Sequence, residues 1–118
     1  MNRLAAYLIM IVILIGAGCS SVPLTGRKQL SLLPESELIT MGLASYQEFM
    51  KENTVSTDKV NAAMVNEVGK NLTSAVESFL KSNGLESRLD GYAWEFSLVA
   101  SDVPNAFCVP GGKIVIYS

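Results

Sequence analysis

The 118-residue chain predicts an α+β fold: two amphipathic helices followed by a strand and a β-hairpin. Three observations carry that expectation. Apolar residues recur at helical spacing over residues 34–51 and again over residues 57–83. After Asp90-Gly91 the apolar period changes to two, the spacing of a strand with one buried face. Pro110-Gly111-Gly112 then separates two short extended stretches, with Pro fixing φ and Gly free to take positive φ. No internal repeat or low-complexity tract interrupts this order.

The chain opens on an address. Met1-Asn2-Arg3 carries the only charge before Arg27, and residues 4–15 are unbroken apolar sequence. Gly16-Ala17-Gly18-Cys19 follows. A charged start, a short apolar run and small residues describe a secretory signal peptide. As helix, residues 4–18 would cover roughly 22 Å, short of the ~30 Å hydrocarbon core of a bilayer. The Cys after Ala-Gly resembles the lipobox of bacterial lipoproteins. That resemblance implies cleavage after residue 18, lipidation of Cys19 and a membrane-anchored chain in the bacterial cell envelope, facing the periplasm. Ser20 at the next position points to the outer membrane rather than the inner. Lipidation would leave Cys108 as a lone thiol and exclude an intrachain disulfide.

Residues 19–33 read as a tether, with Thr25-Gly26 and Arg27-Lys28 suited to an exposed turn. The remainder, 34–118, reads as one domain. Pro34 sits where a first helical residue belongs, and Glu35 and Glu37 lie near the positive end of the helix dipole. Leu38, Ile39, Gly42, Tyr46, Phe49 and Met50 form one stripe, and a small residue at Gly42 suits close packing. Thr57 is positioned to cap the second helix, with Asp58 in its first turn. Val60, Met64, Val68, Leu72, Val76 and Leu80 repeat every four residues, with Phe79 widening the stripe. That stripe predicts a helix facing the core and ending at Asn83-Gly84.

Tyr92, Trp94, Phe96 and Leu98 alternate on one face of the predicted strand. Asp102-Val103-Pro104 interrupts, residues 105–109 extend again, and Lys113 to Tyr117 forms a second apolar strand. Cys108 reads as a small buried thiol, since no His exists to activate it. Gly111-Gly112-Lys113 is not a phosphate loop, because a β-branched strand follows it instead of a helix.

Composition excludes several functions. Nine Lys plus Arg against eleven Asp plus Glu leaves no basic footprint for nucleic acid. The chain has no His, which removes imidazole catalysis and imidazole metal ligands. With one strand, one hairpin and two helices, the core is thin for a protein without disulfides. The expectation is therefore an amino-terminal portion of something longer.

The string Asn105-Ala106-Phe107-Cys108-Val109-Pro110-Gly111-Gly112-Lys113-Ile114-Val115-Ile116-Tyr117, preceded by Trp94-Glu95-Phe96, resembles a segment of the CAAX-prenyl-protease and HtpX-like zinc metalloendopeptidases. Pro23-Leu24-Thr25-Gly26-Arg27-Lys28-Gln29-Leu30 and the two helices are similar to the preceding parts of lipid-anchored members. The resemblance covers residues 22–118 and implies an incomplete zincin-like domain. In that family the zinc ligands and catalytic Glu stand on a later His-Glu-x-x-His helix and beyond. None of these positions exists here, so zinc belongs to the full-length family member and no zinc site is expected in this chain. The resemblance implies unfolded or membrane protein substrates. It also implies that residues 105–107 form the edge along which substrate lies. Asn105 would then meet substrate backbone, Ala106 would lend backbone groups and Phe107 would wall a side-chain pocket. Two alternatives stay open: a plain hairpin with Phe107 in the core, and a small non-catalytic envelope lipoprotein that binds or scaffolds other proteins.

Overall fold

The computed structural model describes Tyr7, residues 19–22 and residues 25–118. The leader read in residues 1–18 lies, apart from Tyr7, outside the described residues, as do Pro23, Leu24 and the Cys19 side chain. The chain divides into two units, Met1–Pro34 and Glu35–Ser118.

The first unit contains a short hairpin where the sequence suggested only a tether. Strand β1 (Cys19–Ser21) pairs antiparallel with β2 (Lys28–Leu30). Gly26 turns the chain at φ 64°, and its N–H donates to the Val22 carbonyl at 2.9 Å.

The second unit runs α1 (Glu35–Glu52), α2 (Lys59–Ser82), a 3-10 turn (Glu86–Leu89), β3 (Glu95–Val99), β4 (Ala106–Val109) and β5 (Lys113–Tyr117). This is the expected α+β order. The sheet order is β3-β5-β4. The β4–β5 hairpin is antiparallel around Pro110-Gly111-Gly112, and β3 lies parallel to β5. Gly111 and Gly112 take φ of 93° and 84°, a region strained for any residue with a Cβ. Their carbonyls accept from Ala93 and Glu95 N–H, each at 2.9 Å. The turn that closes the hairpin therefore also draws β3 alongside β5.

The helices pack on opposite faces of the sheet, because the sheet alternates side chains between them. On one face Tyr46 of α1 joins Val99 and Val115 in the buried core, with Phe49, Met50, Phe107, Val109 and Tyr117 around it. On the other face Leu98 is buried and α2 crosses over β3. Leu98 and Val99 are thus both covered. This corrects the expectation of a strand with one buried face: alternation in the sequence marks side-chain polarity, and here a helix covers each side.

α1 begins at Glu35, directly after Pro34, and its approach to the sheet is set by Gly42. A Cβ added there would lie 2.6 Å from the Pro110 carbonyl oxygen. The close packing read from Gly42 is what the helix uses.

α2 differs from the sequence reading twice. Its cap is Asp58, not Thr57: Asp58 Oδ1 accepts from Val60 N–H at 3.1 Å and Asn61 N–H at 3.0 Å. A carboxylate one residue later reaches the free amides of the first turn. The second difference is larger. Val60, Met64, Val68, Leu72, Val76 and Phe79 are 42–77% exposed. The helix meets the sheet through buried Gly69, where a Cβ would lie 2.5 Å from the Phe96 ring. The residue of closest approach is the one with no side chain, so the ring of Phe96 fits under it and the aliphatic stripe is left on the flank. Trp94 Nε1 donates to Glu77 Oε1 at 2.9 Å, a further tie between the helix and the sheet side.

Two carboxylates tie this unit to pH. Backbone and side-chain hydrogen bonds from Asn61 hold the Asp58 carboxyl below its ordinary value. Hydrogen bonds from Tyr46 and then Lys113 do the same for Glu95. A depressed folded-state pKa adds stability above the unfolded carboxylate pKa, and that stability is lost as pH falls through the folded value. Denaturant unfolding measured across the acid range should show stability declining with falling pH. The decline should be shallower in Asp58→Asn combined with Glu95→Gln. An unchanged slope would mean that neither bond matters.

Candidate functional site

The polar groups on the α1 face form a bracket between helix and sheet. Tyr46 O–H donates to Glu95 Oε1 at 2.8 Å. With its one proton so used, Tyr46 accepts from Ser97 Oγ, 2.7 Å away. Lys113 Nζ lies 3.0 Å from Glu95 Oε2 and donates to the Ala93 carbonyl at 2.7 Å. Burial pushes the Tyr46 hydroxyl above its ordinary pKa. Every group here has a partner, and Tyr46 is buried, so the bracket fastens α1 to β3 and β5.

The other face is open. A trough of about 360 Å³ runs between α2 and the sheet, lined by Met64, Val68, Leu72, Trp94, Ile114 and Ile116 among others. Its walls are almost wholly apolar. Contiguous apolar surface of this kind marks an interaction site more often than chance exposure does. Because Leu72 is largely solvent-exposed, Leu72→Glu should change folding stability by less than about 0.5 kcal/mol. It should also reduce the fluorescence of a hydrophobic dye bound to the chain. A loss of several kcal/mol would show that the stripe is core after all.

The third feature is the free edge of β4. The Tyr117 N–H donates to the Asn105 carbonyl at 2.9 Å. With the register Phe107↔Val115 and Val109↔Lys113, residues 105, 107 and 109 turn their backbone groups toward β5. Ala106 and Cys108 between them turn theirs outward, since antiparallel pairing alternates in this way. Among the described residues no strand pairs with that side. The outer edge of β3, by contrast, is covered at its end. Ser56 N–H donates to the Leu98 carbonyl at 2.8 Å and Ala100 N–H to the Thr54 carbonyl at 2.9 Å.

The three residues singled out in the sequence all sit on this edge. Asn105 is exposed at its start, and its Oδ1 accepts from the Ala106 N–H at 2.9 Å. Ala106 is exposed. Phe107 points to the α1 side, with its ring 5.0 Å from that of Phe49 and 6.3 Å from that of Tyr117. Cys108 is a free, exposed thiol, which corrects the expectation of a buried one. It lies on the face that α2 covers over β3, and its side chain stays exposed there. The trough was missed in the sequence for a definite reason. A stripe with helical spacing names a sticky face without naming what meets it.

Zinc does not fit the residues present. The sequence has no His. Among the described residues no three or more His, Cys, Asp or Glu lie together as a metal site requires. Also among the described residues, no helix is long and apolar enough to cross a membrane.

The site defines an α+β domain with an open strand edge and an open apolar face. Among known proteins, the chain is 42% identical over 38 residues to the mitochondrial metalloendopeptidase OMA1 of Arabidopsis thaliana. That stretch is 32% of this chain and only 8% of that protein. The similarity supports a relation to metallopeptidases at that coarse level. No protein-family model matches the chain, and no solved structure does.

Proposed function

We propose that the chain is the amino-terminal part of a zinc-dependent metalloendopeptidase for envelope protein turnover, supplying the strand along which substrate lies. The observation that carries the reading is the free outer edge of β4, which bears Ala106 and Phe107 with Asn105 at its start. Backbone groups on such an edge bind an extended peptide through its main chain, whatever its side chains. That suits unfolded or membrane protein substrates. The stretch of identity to a metalloendopeptidase supports the same class. Zinc and its ligands then belong to polypeptide beyond this chain.

Sequence 3′ of codon 118 that encodes His-Glu-x-x-His, with chelator-sensitive peptide hydrolysis by the complete product, is the expected result. A product that hydrolyses no peptide would reject the reading. The leader supports a lipid anchor at Cys19 and a periplasm-facing location at the outer membrane. Cys19→Ser should then abolish lipid labelling and signal processing, and normal maturation of that variant would remove the anchor.

The exposed stripe of α2 favours a second reading, a non-catalytic envelope lipoprotein that binds other proteins through the trough. Stoichiometric recovery of an envelope protein with the 118-residue chain, lost in Leu72→Glu, would support it over the peptidase.

A further inference from the structure

The geometry points to Cys108, not Ala106, as the position where an extended segment docks on the β4 edge; this inference rests on the substrate-edge reading above. Both residues turn their backbone outward, and in a regular ladder each would exchange two hydrogen bonds with a residue of the added strand. The two are not equivalent here. The Ala106 N–H already donates to Asn105 Oδ1 at 2.9 Å. Only the Ala106 carbonyl remains to pair, whereas Cys108 offers both its N–H and its carbonyl. The Asn105 side chain therefore closes one place on the edge and leaves the next place open.

That arrangement sets a register. The added strand makes its two-bond pair with Cys108 and a single bond, to the carbonyl, at Ala106. Side chains of the added strand then alternate between two environments. Those beside Phe107 and Val109 meet the partly buried apolar cluster on the α1 face. Those beside Ala106 and Cys108 lie on the other face, where both residues are small and exposed. The segment that fits is extended, with an apolar residue at every second position. Charge on this edge would oppose strand addition, and residues 103–112 carry none.

Proline substitution separates the two places, because at an outward-facing position it removes only the outward N–H and leaves the ladder to β5 intact. The test uses the full chain in detergent micelles. The probe is the blocked pentapeptide acetyl-Thr-Val-Lys-Val-Thr-amide, followed by backbone amide shifts. Without peptide, the Ala106 amide should exchange with solvent at least tenfold more slowly than that of Cys108, and Asn105→Ala should remove the difference. With peptide, Cys108→Pro should weaken binding at least tenfold and Ala106→Pro less than twofold. Equal exchange at the two amides overturns the register inference, and so does a loss on Ala106→Pro as large as that on Cys108→Pro. If either proline variant loses the native spectrum, the exchange comparison in the unsubstituted chain decides. A chain that binds no peptide while Ala106 stays protected overturns the substrate-edge reading itself, and the docking position with it.

Discussion

Gly42→Ala is expected to destabilise the fold although alanine is the better helix former. The new Cβ would lie 2.6 Å from the Pro110 carbonyl oxygen and 3.1 Å from its N and Cδ. These are atoms of the β4–β5 turn, which has little freedom to retreat because the Gly111 and Gly112 carbonyls accept from Ala93 and Glu95 N–H. Overpacking of this kind costs about 1–3 kcal/mol, while the helix-propensity gain from Gly to Ala offsets at most ~1 kcal/mol. The overlap therefore wins. A net loss of about 1–2 kcal/mol should lower Tm by roughly 5–15 °C in a unit of this size, measured by circular dichroism.

Gly69→Ala gives the instructive contrast. Its Cβ would meet the Phe96 ring at 2.5 Å, a worse overlap on distance alone. That ring lines the open trough, however, and a side chain can swing where a backbone turn cannot. The drop for Gly69→Ala should be the smaller of the two. A rise in Tm for Gly42→Ala would mean that α1 is not pressed against the turn.

Phe107→Ala is expected to cost about 2–3 kcal/mol, below the ~3–5 kcal/mol of a fully buried Phe→Ala change because the residue is only partly buried. The ring makes an edge contact with Phe49 and another with Tyr117, and both would be lost. Phe107→Leu should restore more than half of the stability. The pair of variants decides what Phe107 is for. A Phe107→Ala chain of unchanged Tm would free the ring from the core and leave the role of pocket wall. A large loss largely recovered by Leu assigns it to packing, with substrate contact left to the backbone on either side of it.

Much of the architecture was legible along the chain. The hairpin follows from Pro110-Gly111-Gly112 between two short, mostly apolar stretches, a local signal that no distant contact has to supply. The helix boundaries follow from Pro34 at one start and Asn83-Gly84 at the other end, again within a turn or two. Gly42 was legible as a place of close packing because a glycine inside a helical stripe needs a reason. Asn105, Ala106 and Phe107 were singled out in the sequence only by resemblance, and the sheet order puts Ala106 and Phe107 on β4, whose outer side has no strand partner among the described residues.

What the sequence could not decide was which surface meets which. Hydrophobic spacing fixed that α2 has an apolar face, but the direction of that face depends on its closest approach to the sheet. That approach is made at Gly69 over Phe96, two residues that carry no joint signal along the chain. The same holds for β3, whose parallel partner is chosen by carbonyls of Gly111 and Gly112 far from it in sequence. It holds again for Cys108, whose exposure depends on how much of the sheet one helix can cover. Local chemistry therefore determined the elements of this protein, because turns, caps and periods act over a few residues. The open trough and the open edge were decided only in the tertiary structure, because both are set by packing between residues far apart in the chain.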